Sequence, residues 1–355
     1  PRAEVRDCLW LALTSGSLRP MISAVHFKDF KALRSTAVRL EPFNLLIGPS
    51  GSGKTSLIEA LLRLRYLAGQ APAPGPASAL AFLNGPQIEF HFHPPFENVR
   101  VTLGCQADEL SCHRLRVDHP PGLAGARQWA ELRTQLHGIR AYLLDHQAMG
   151  APVLRSAGTE LAANASNLAA VLAQRAQQAP VAFAHLVADF CRIMPEFSGL
   201  DFRGVGEGHV ELRAALRDSP EHLSCENLSQ GTLYLLAILT LAHDPQPPTL
   251  LCLEEADRGV HPRLLREVRD ALYRLSYPVA TETTRPVVQV IATTHSPYLL
   301  DLFRDHPSEI VLAHKQGNTA TFERLSERPD ILELMRETNL GDLWYSGILG
   351  GIPGD

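Results

Sequence analysis

Three short runs of apolar and β-branched residues, 22–27, 36–40 and 43–47, are separated by polar turns and predict three opening strands. The third runs directly into Gly48, and from Lys54 onward Leu57, Ile58, Leu61, Leu62 and Leu64 recur at helical spacing, predicting a helix over 54–66. Residues 68–78, with three prolines, break this pattern and read as a surface linker. Beyond it, 87–93, 99–105 and 109–117 alternate apolar and polar residues with period two, as an antiparallel meander does, and 139–144 adds a further strand. Helical spacing returns over 167–178 and 181–194, followed by a strand pair at 200–205 and 209–216. After Leu228 strands and helices alternate: a helix to His243, strand 249–253, helix 262–277, strand 287–292, helix 297–303 and strand 309–313. Such alternation predicts an α/β layer with parallel strands.

Composition narrows the class without naming a chemistry. Of 355 residues, 45% are hydrophobic and 20% charged, as in soluble globular proteins. The longest apolar runs, 233–241 and 248–253, fall well short of the roughly 18 residues that a spanning helix needs, so no contact with a membrane is expected. A net charge of -5 supplies no global basic field for nucleic acid and leaves only a local basic face as a route to it. Six scattered cysteines do not form the framework of a small secreted domain, so a reducing, cytoplasmic setting is expected. His91, His93, Cys105, Cys112, His113 and His119 lie close together, but their spacing matches no standard zinc site. Residues 1–20 lack an initiating Met and a signal-peptide pattern and are expected to be an upstream extension or tag.

The chemistry is concentrated in a few motifs. Gly48, Pro49, Ser50, Gly51, Ser52, Gly53, Lys54 and Thr55, with Ser56 behind them, fit the phosphate-loop pattern between a strand and a helix. Glycines let successive N–H groups face the β- and γ-phosphates, Lys54 bridges those phosphates, and the Thr55 hydroxyl ligates Mg²⁺. Strand 249–253 ends in Glu254 and Glu255, at the strand end where ligands collect in α/β sheets. Glu254 is expected in the Mg²⁺ shell, and Glu255 as the base that takes a proton from the attacking water. His295 ends another apolar strand and could reach the γ-phosphate. Lys31 reads equally well as a nucleotide or DNA contact and as a surface lysine.

In their order these motifs resemble the ABC-type ATPases, within them the branch of RecF, SMC and OLD proteins. The opening run from Ile22 through Thr55 is similar to that branch's first strands and Walker A, and Leu228-Ser229-Gln230-Gly231-Thr232 to its signature motif. Leu253 to Pro262 is similar to its Walker B and D-loop, Thr293 to Pro297 to its switch histidine, and Leu340 to Gly347 to its closing run. The resemblance implies an α/β P-loop fold with ABC-ATPase head architecture: a mixed sheet flanked by helices, an antiparallel β subdomain and an inserted helical subdomain. It divides the chain into an ATPase core, 21–66 and 223–355, and an inserted β and helical part, 67–222. ATP and Mg²⁺ are the implied cofactors. The implied unit is a head-to-tail homodimer closed by ATP, with Ser229 and Gly231 of one subunit touching the γ-phosphate held by the other.

Departures are visible. Gln230 and Thr232 replace commoner signature residues, Glu254 replaces Asp, Ala256 replaces Pro, and Gln87 and Gln147 both stand as candidates for the Q-loop. The stretch 67–222 is too short for the long coiled coils of SMC proteins, and only about 60 residues follow His295, with no acidic cluster of a Toprim nuclease. A separate nuclease or effector chain and double-stranded DNA are therefore the implied partners, in DNA repair or anti-phage defence. Two other classes compete: the ATP-binding subunit of a membrane transporter and a nucleotide-gated scaffold with negligible turnover.

Overall fold

The computed structural model describes residues 21–70, 85–106, 111–278 and 286–350; the segment 1–20 and most of the proline-rich linker lie outside the described residues. The first stretch holds β1 (Ile22–Phe30), β2 (Leu33–Arg39), β3 (Phe43–Ile47), α1 (Lys54–Gly69), β4 (Gln87–Phe92), β5 (Arg100–Gln106), β6 (Ser111–Asp118), α2 (Leu123–Leu136) and β7 (Ile139–Tyr142). The middle holds α3 (His146–Gly150), β8 (Val153–Leu154), α4 (Leu168–Gln178), α5 (Pro180–Ile193), β9 (Phe197–Val205), β10 (His209–Leu216), β11 (His222–Ser224) and α6 (Gln230–Ala242). The last holds β12 (Leu250–Leu253), α7 (Leu265–Ser276), β13 (Gln289–Thr294), α8 (Pro297–Asp301), β14 (Ile310–Gln316), β15 (Thr319–Arg324), α9 (Ile331–Glu337) and α10 (Leu340–Tyr345). Among the described residues no helix is long and apolar enough to cross a membrane.

The described residues form two compact units, one drawn from 21–140, 248–252 and 276–350, the other from 141–247 and 253–275. In the first, a five-stranded antiparallel sheet runs β2-β1-β4-β5-β6. Its period-two pattern puts Val25, Phe27, Ile88, Phe90, Val101 and Leu103 in the core. A six-stranded sheet runs β15-β14-β3-β13-β12-β7. Both β13 and β14 pair parallel with β3. All of β3 is buried, as a central parallel strand should be, and each large side chain there contributes roughly 1.5–3 kcal/mol. The Gln289 carboxamide ties the sheets together, accepting from Ile22 N at 3.0 Å and donating to Ile22 O at 2.7 Å and Glu41 O at 3.2 Å. In the second unit, β9, β10, β8 and β11 form a small sheet, α4 and α5 pack on β10 and β9 respectively, and α6 is buried along its length.

Several local expectations change. Ala68 and Gly69, expected in the linker, close α1 instead: Ala68 is buried, and Arg133 from α2 donates to Ala68 O at 2.6 Å and Gly69 O at 3.2 Å, satisfying terminal carbonyls. Helix α2 escaped the sequence pattern because only Gly125, Leu132 and Leu136 of its fourteen residues are buried. Cys105 and Cys112 face each other across β5 and β6 and form a disulfide. Lys31 forms an ion pair with Glu59 of α1 and lies 5.6 Å from the centre of the Phe30 ring. The Leu340 to Gly347 run forms α10, where Gly341 N donates to Asp301 Oδ1 of α8 at 2.7 Å.

Candidate functional site

The phosphate loop joins β3 to α1 in the first unit, and its glycines are where a side chain cannot go. A Cβ on Gly48 would stand 2.3 Å from Ala313 O of β14 and 2.7 Å from Ser52 Oγ. At Gly53, with φ +91°, it would meet Leu33 Cδ2 at 2.8 Å. Lys54 starts α1, is only 7% exposed, and donates its ammonium to Gly48 O at 2.7 Å and Pro49 O at 3.0 Å, curled back over the loop. Thr55 and Ser50 face solvent. Ser52 is 1% exposed, and its hydroxyl finds no hydrogen-bond partner among the described residues. A buried unpartnered hydroxyl within a glycine cradle fits a polyphosphate, which offers the acceptors that the loop lacks.

His295 follows β13, the parallel neighbour of β3, so it and the loop emerge at the same end of adjacent strands. Its side chain is exposed. The turn is held by Ser296 N donating to Thr294 Oγ1 at 2.9 Å, and the Ser296 hydroxyl accepts from Leu299 N at 3.3 Å to cap α8.

The signature and Walker B residues lie in the second unit. Ser229 caps α6: its Oγ accepts from Thr232 N at 3.1 Å and lies 2.7 Å from Thr232 Oγ1. Gly231 packs against the D-loop so closely that a Cβ there would stand 2.7 Å from Gly259 O. The Gln230 side chain covers Gly259, whose own Cβ would meet Gln230 Cδ at 2.5 Å. That contact gives the unusual Gln230 a structural task which the motif alone did not indicate.

Glu254 N donates to Tyr142 O at 2.9 Å, anchoring the turn after β12. Glu255 is exposed, holds φ +51°, and pairs with Arg258 at 3.4 Å. A non-glycine residue in that region is uncommon, and such strain concentrates at functional turns. Of the two Q-loop candidates, Gln87 belongs to the antiparallel ladder, opposite Gly104 and Lys28. Gln147 is the second residue of α3, its N–H bonded to the capping Asp145 at 3.0 Å. The expected residues thus form two groups: Gly48 to Ser56 with His295 in one unit, and Ser229, Gly231, Glu254 and Glu255 in the other.

Residues 193–301 match the family described as "AAA domain, putative AbiEii toxin, Type IV TA system". That span holds Ser229, Gly231, Glu254, Glu255 and His295, but not the phosphate loop. No curated protein matches the sequence. Solved structures do. One is an Smc head bound to the C-winged helix domain of ScpA, 14% identical with TM-score 0.57, covering 86% of this chain and 97% of that one. Another is an Smc head with an extended coiled coil, bound to the C-terminal domain of ScpA, from Pyrococcus furiosus. It is 13% identical with TM-score 0.55, covering 89% of this chain and 100% of that one. At such identities the likeness shows the fold alone, a P-loop α/β architecture similar to that of an Smc head, and the family model covers less than a third of the chain.

Proposed function

We propose that the chain binds Mg-ATP at the phosphate loop, closes into a head-to-tail dimer on it, and hydrolyses it to ADP and phosphate as a switch. The observation that carries this reading is the loop itself: a cradle closed to side chains, with Lys54 and the unpartnered Ser52 hydroxyl turned into it. On binding, Lys54 exchanges its contacts with Gly48 O and Pro49 O for phosphate oxygens, while loop N–H groups bind the β- and γ-phosphates. Thr55 and Glu254 would hold Mg²⁺, which when bound neutralises phosphate charge. Glu255 takes the proton of the water that attacks the γ-phosphorus as the bond to ADP breaks. His295 hydrogen-bonds the γ-phosphate. Ser229 and Gly231 of a second copy complete the γ-phosphate shell from the N-terminal end of α6. The core of 21–66 and 223–355 does this chemistry, in the cytoplasm.

The switch would act on a DNA- or nuclease-associated complex. Support for a protein partner comes from the Smc heads, which are bound to domains of ScpA. Direct DNA binding would appear as a mobility shift that weakens steeply with salt.

Nucleotide titration and phosphate release on three proteins test the ATPase reading. Wild type should bind Mg-ATP and turn it over, Lys54→Ala should lose binding, and Glu255→Gln should bind but release phosphate at least 100-fold more slowly, the scale of a general base. Undiminished turnover in Glu255→Gln removes the assigned base, and undiminished binding in Lys54→Ala removes the site.

A further inference from the structure

Only four lysines occur in the chain, and two of them stand at the phosphate loop: Lys54, and Lys315 on β14. Strand β14 pairs parallel with β3, with Leu312 beside Ile47, so its next residues run alongside the loop. Period two puts Ala313 and Lys315 on one face and His314 on the other. Ala313 accordingly presses on Gly48, while His314 turns to Glu323 of β15, 2.9 Å away. Lys315 lies across the tip of the loop: a Cβ built on Gly51 would stand 3.2 Å from its Nζ and 3.8 Å from its Cδ and Cε. Gly51 has φ +75° and carries no side chain to keep the lysine away. The Lys315 side chain is exposed, and its ammonium makes no ion pair or hydrogen bond with the described residues.

We infer that Lys315 is a second phosphate-binding cation, which reaches over Gly51 to the polyphosphate of a bound nucleotide from the β14 side while His295 approaches from the β13 side. The inference rests on the nucleotide-binding reading above. Two strands flank β3: β14 carries Lys315 to the loop that β3 feeds, and β13 runs out to His295. A lysine is suited to this position because its compact ammonium on a flexible stem can follow the phosphates as they bind. Lys54 is packed against the loop's carbonyls before nucleotide arrives, whereas Lys315 has no such contact to give up.

Calorimetric titration of Mg-ATP and Mg-ADP into wild type, Lys54→Ala, Lys315→Met and Lys315→Arg, repeated across a salt series, tests this. Lys315→Met keeps the apolar stem and removes the charge. It should weaken both nucleotides about tenfold, the size of one charge-assisted hydrogen bond, and flatten the salt dependence of binding. Lys315→Arg should recover most of the affinity. Wild-type affinity and salt dependence in Lys315→Met, with binding lost in Lys54→Ala, would overturn the role of Lys315 alone. Equal losses in the Met and Arg variants would overturn it too, because charge would not be what the site uses. Failure of wild type itself to bind Mg-ATP would remove the nucleotide reading and this inference together.

Discussion

Gly231 and Gly259 meet where the signature motif touches the D-loop, and neither has room for a methyl group. A Cβ on Gly231 would lie 2.7 Å from a backbone oxygen, which cannot rotate away as a side chain could. Gly231→Ala should therefore destabilise the second unit by about 1–3 kcal/mol, the usual cost of overpacking. Gly204 on β9 is the control, since a Cβ there meets nothing within 4 Å and its φ is not positive. Gly204→Ala should stay within about 0.5 kcal/mol of wild type in the same denaturation experiment. Equal shifts in the two variants would mean that the close approach of Gly231 does not constrain the fold. At this scale the order of strand, glycine loop and helix was legible in the sequence, because the positive φ of Gly53 and the helical spacing after Lys54 are local demands, whereas the contact of Gly48 with Ala313 is not. The Gln230 contact was not legible, because it depends on Gly259, which is distant in sequence and near only in the fold.

Between elements, Asp189 of α5 is the junction of its unit. It accepts from His243 at the end of α6 at 2.9 Å and from Arg274 of α7 at 2.8 Å, and Arg192 joins it to Glu267. Burial raises the Asp189 pKa, but the bonds from His243 and Arg274 outweigh it and hold the carboxyl below its ordinary value. A carboxyl depressed in the folded state stabilises above its unfolded pKa, and the contribution fades as pH falls through the folded one. Asp189→Asn should thus be less stable than wild type near neutral pH, with the gap closing in acid; urea denaturation at pH 7 and pH 3 measures it. A gap that is the same at both values would contradict the network's role. Elements rich in apolar residues, such as β1, β3 and α6, could be read from their own residues. By contrast α2 and β15 could not: α2 buries too few side chains, and β15 takes its place from pairing with β14 and packing on β2. The β4 to β6 strands were legible as a meander, but their union with β1 and β2 in one sheet is a long-range pairing that no local pattern encodes.

On the scale of the whole molecule, the loop and His295 belong to one unit and the signature and Walker B residues to the other. In the proposed dimer each nucleotide uses the loop of one copy and the signature of the other, so ATP is what joins two chains. An ATP-closed dimer is therefore visible as a change of mass. Light scattering on Glu255→Gln with Mg-ATP, with Mg-ADP and without nucleotide tests it most directly. A rise from one chain to two with Mg-ATP alone is the predicted result. A mass indifferent to nucleotide would contradict the ATP-closed dimer and the assignment of Ser229 and Gly231 to a second copy's γ-phosphate.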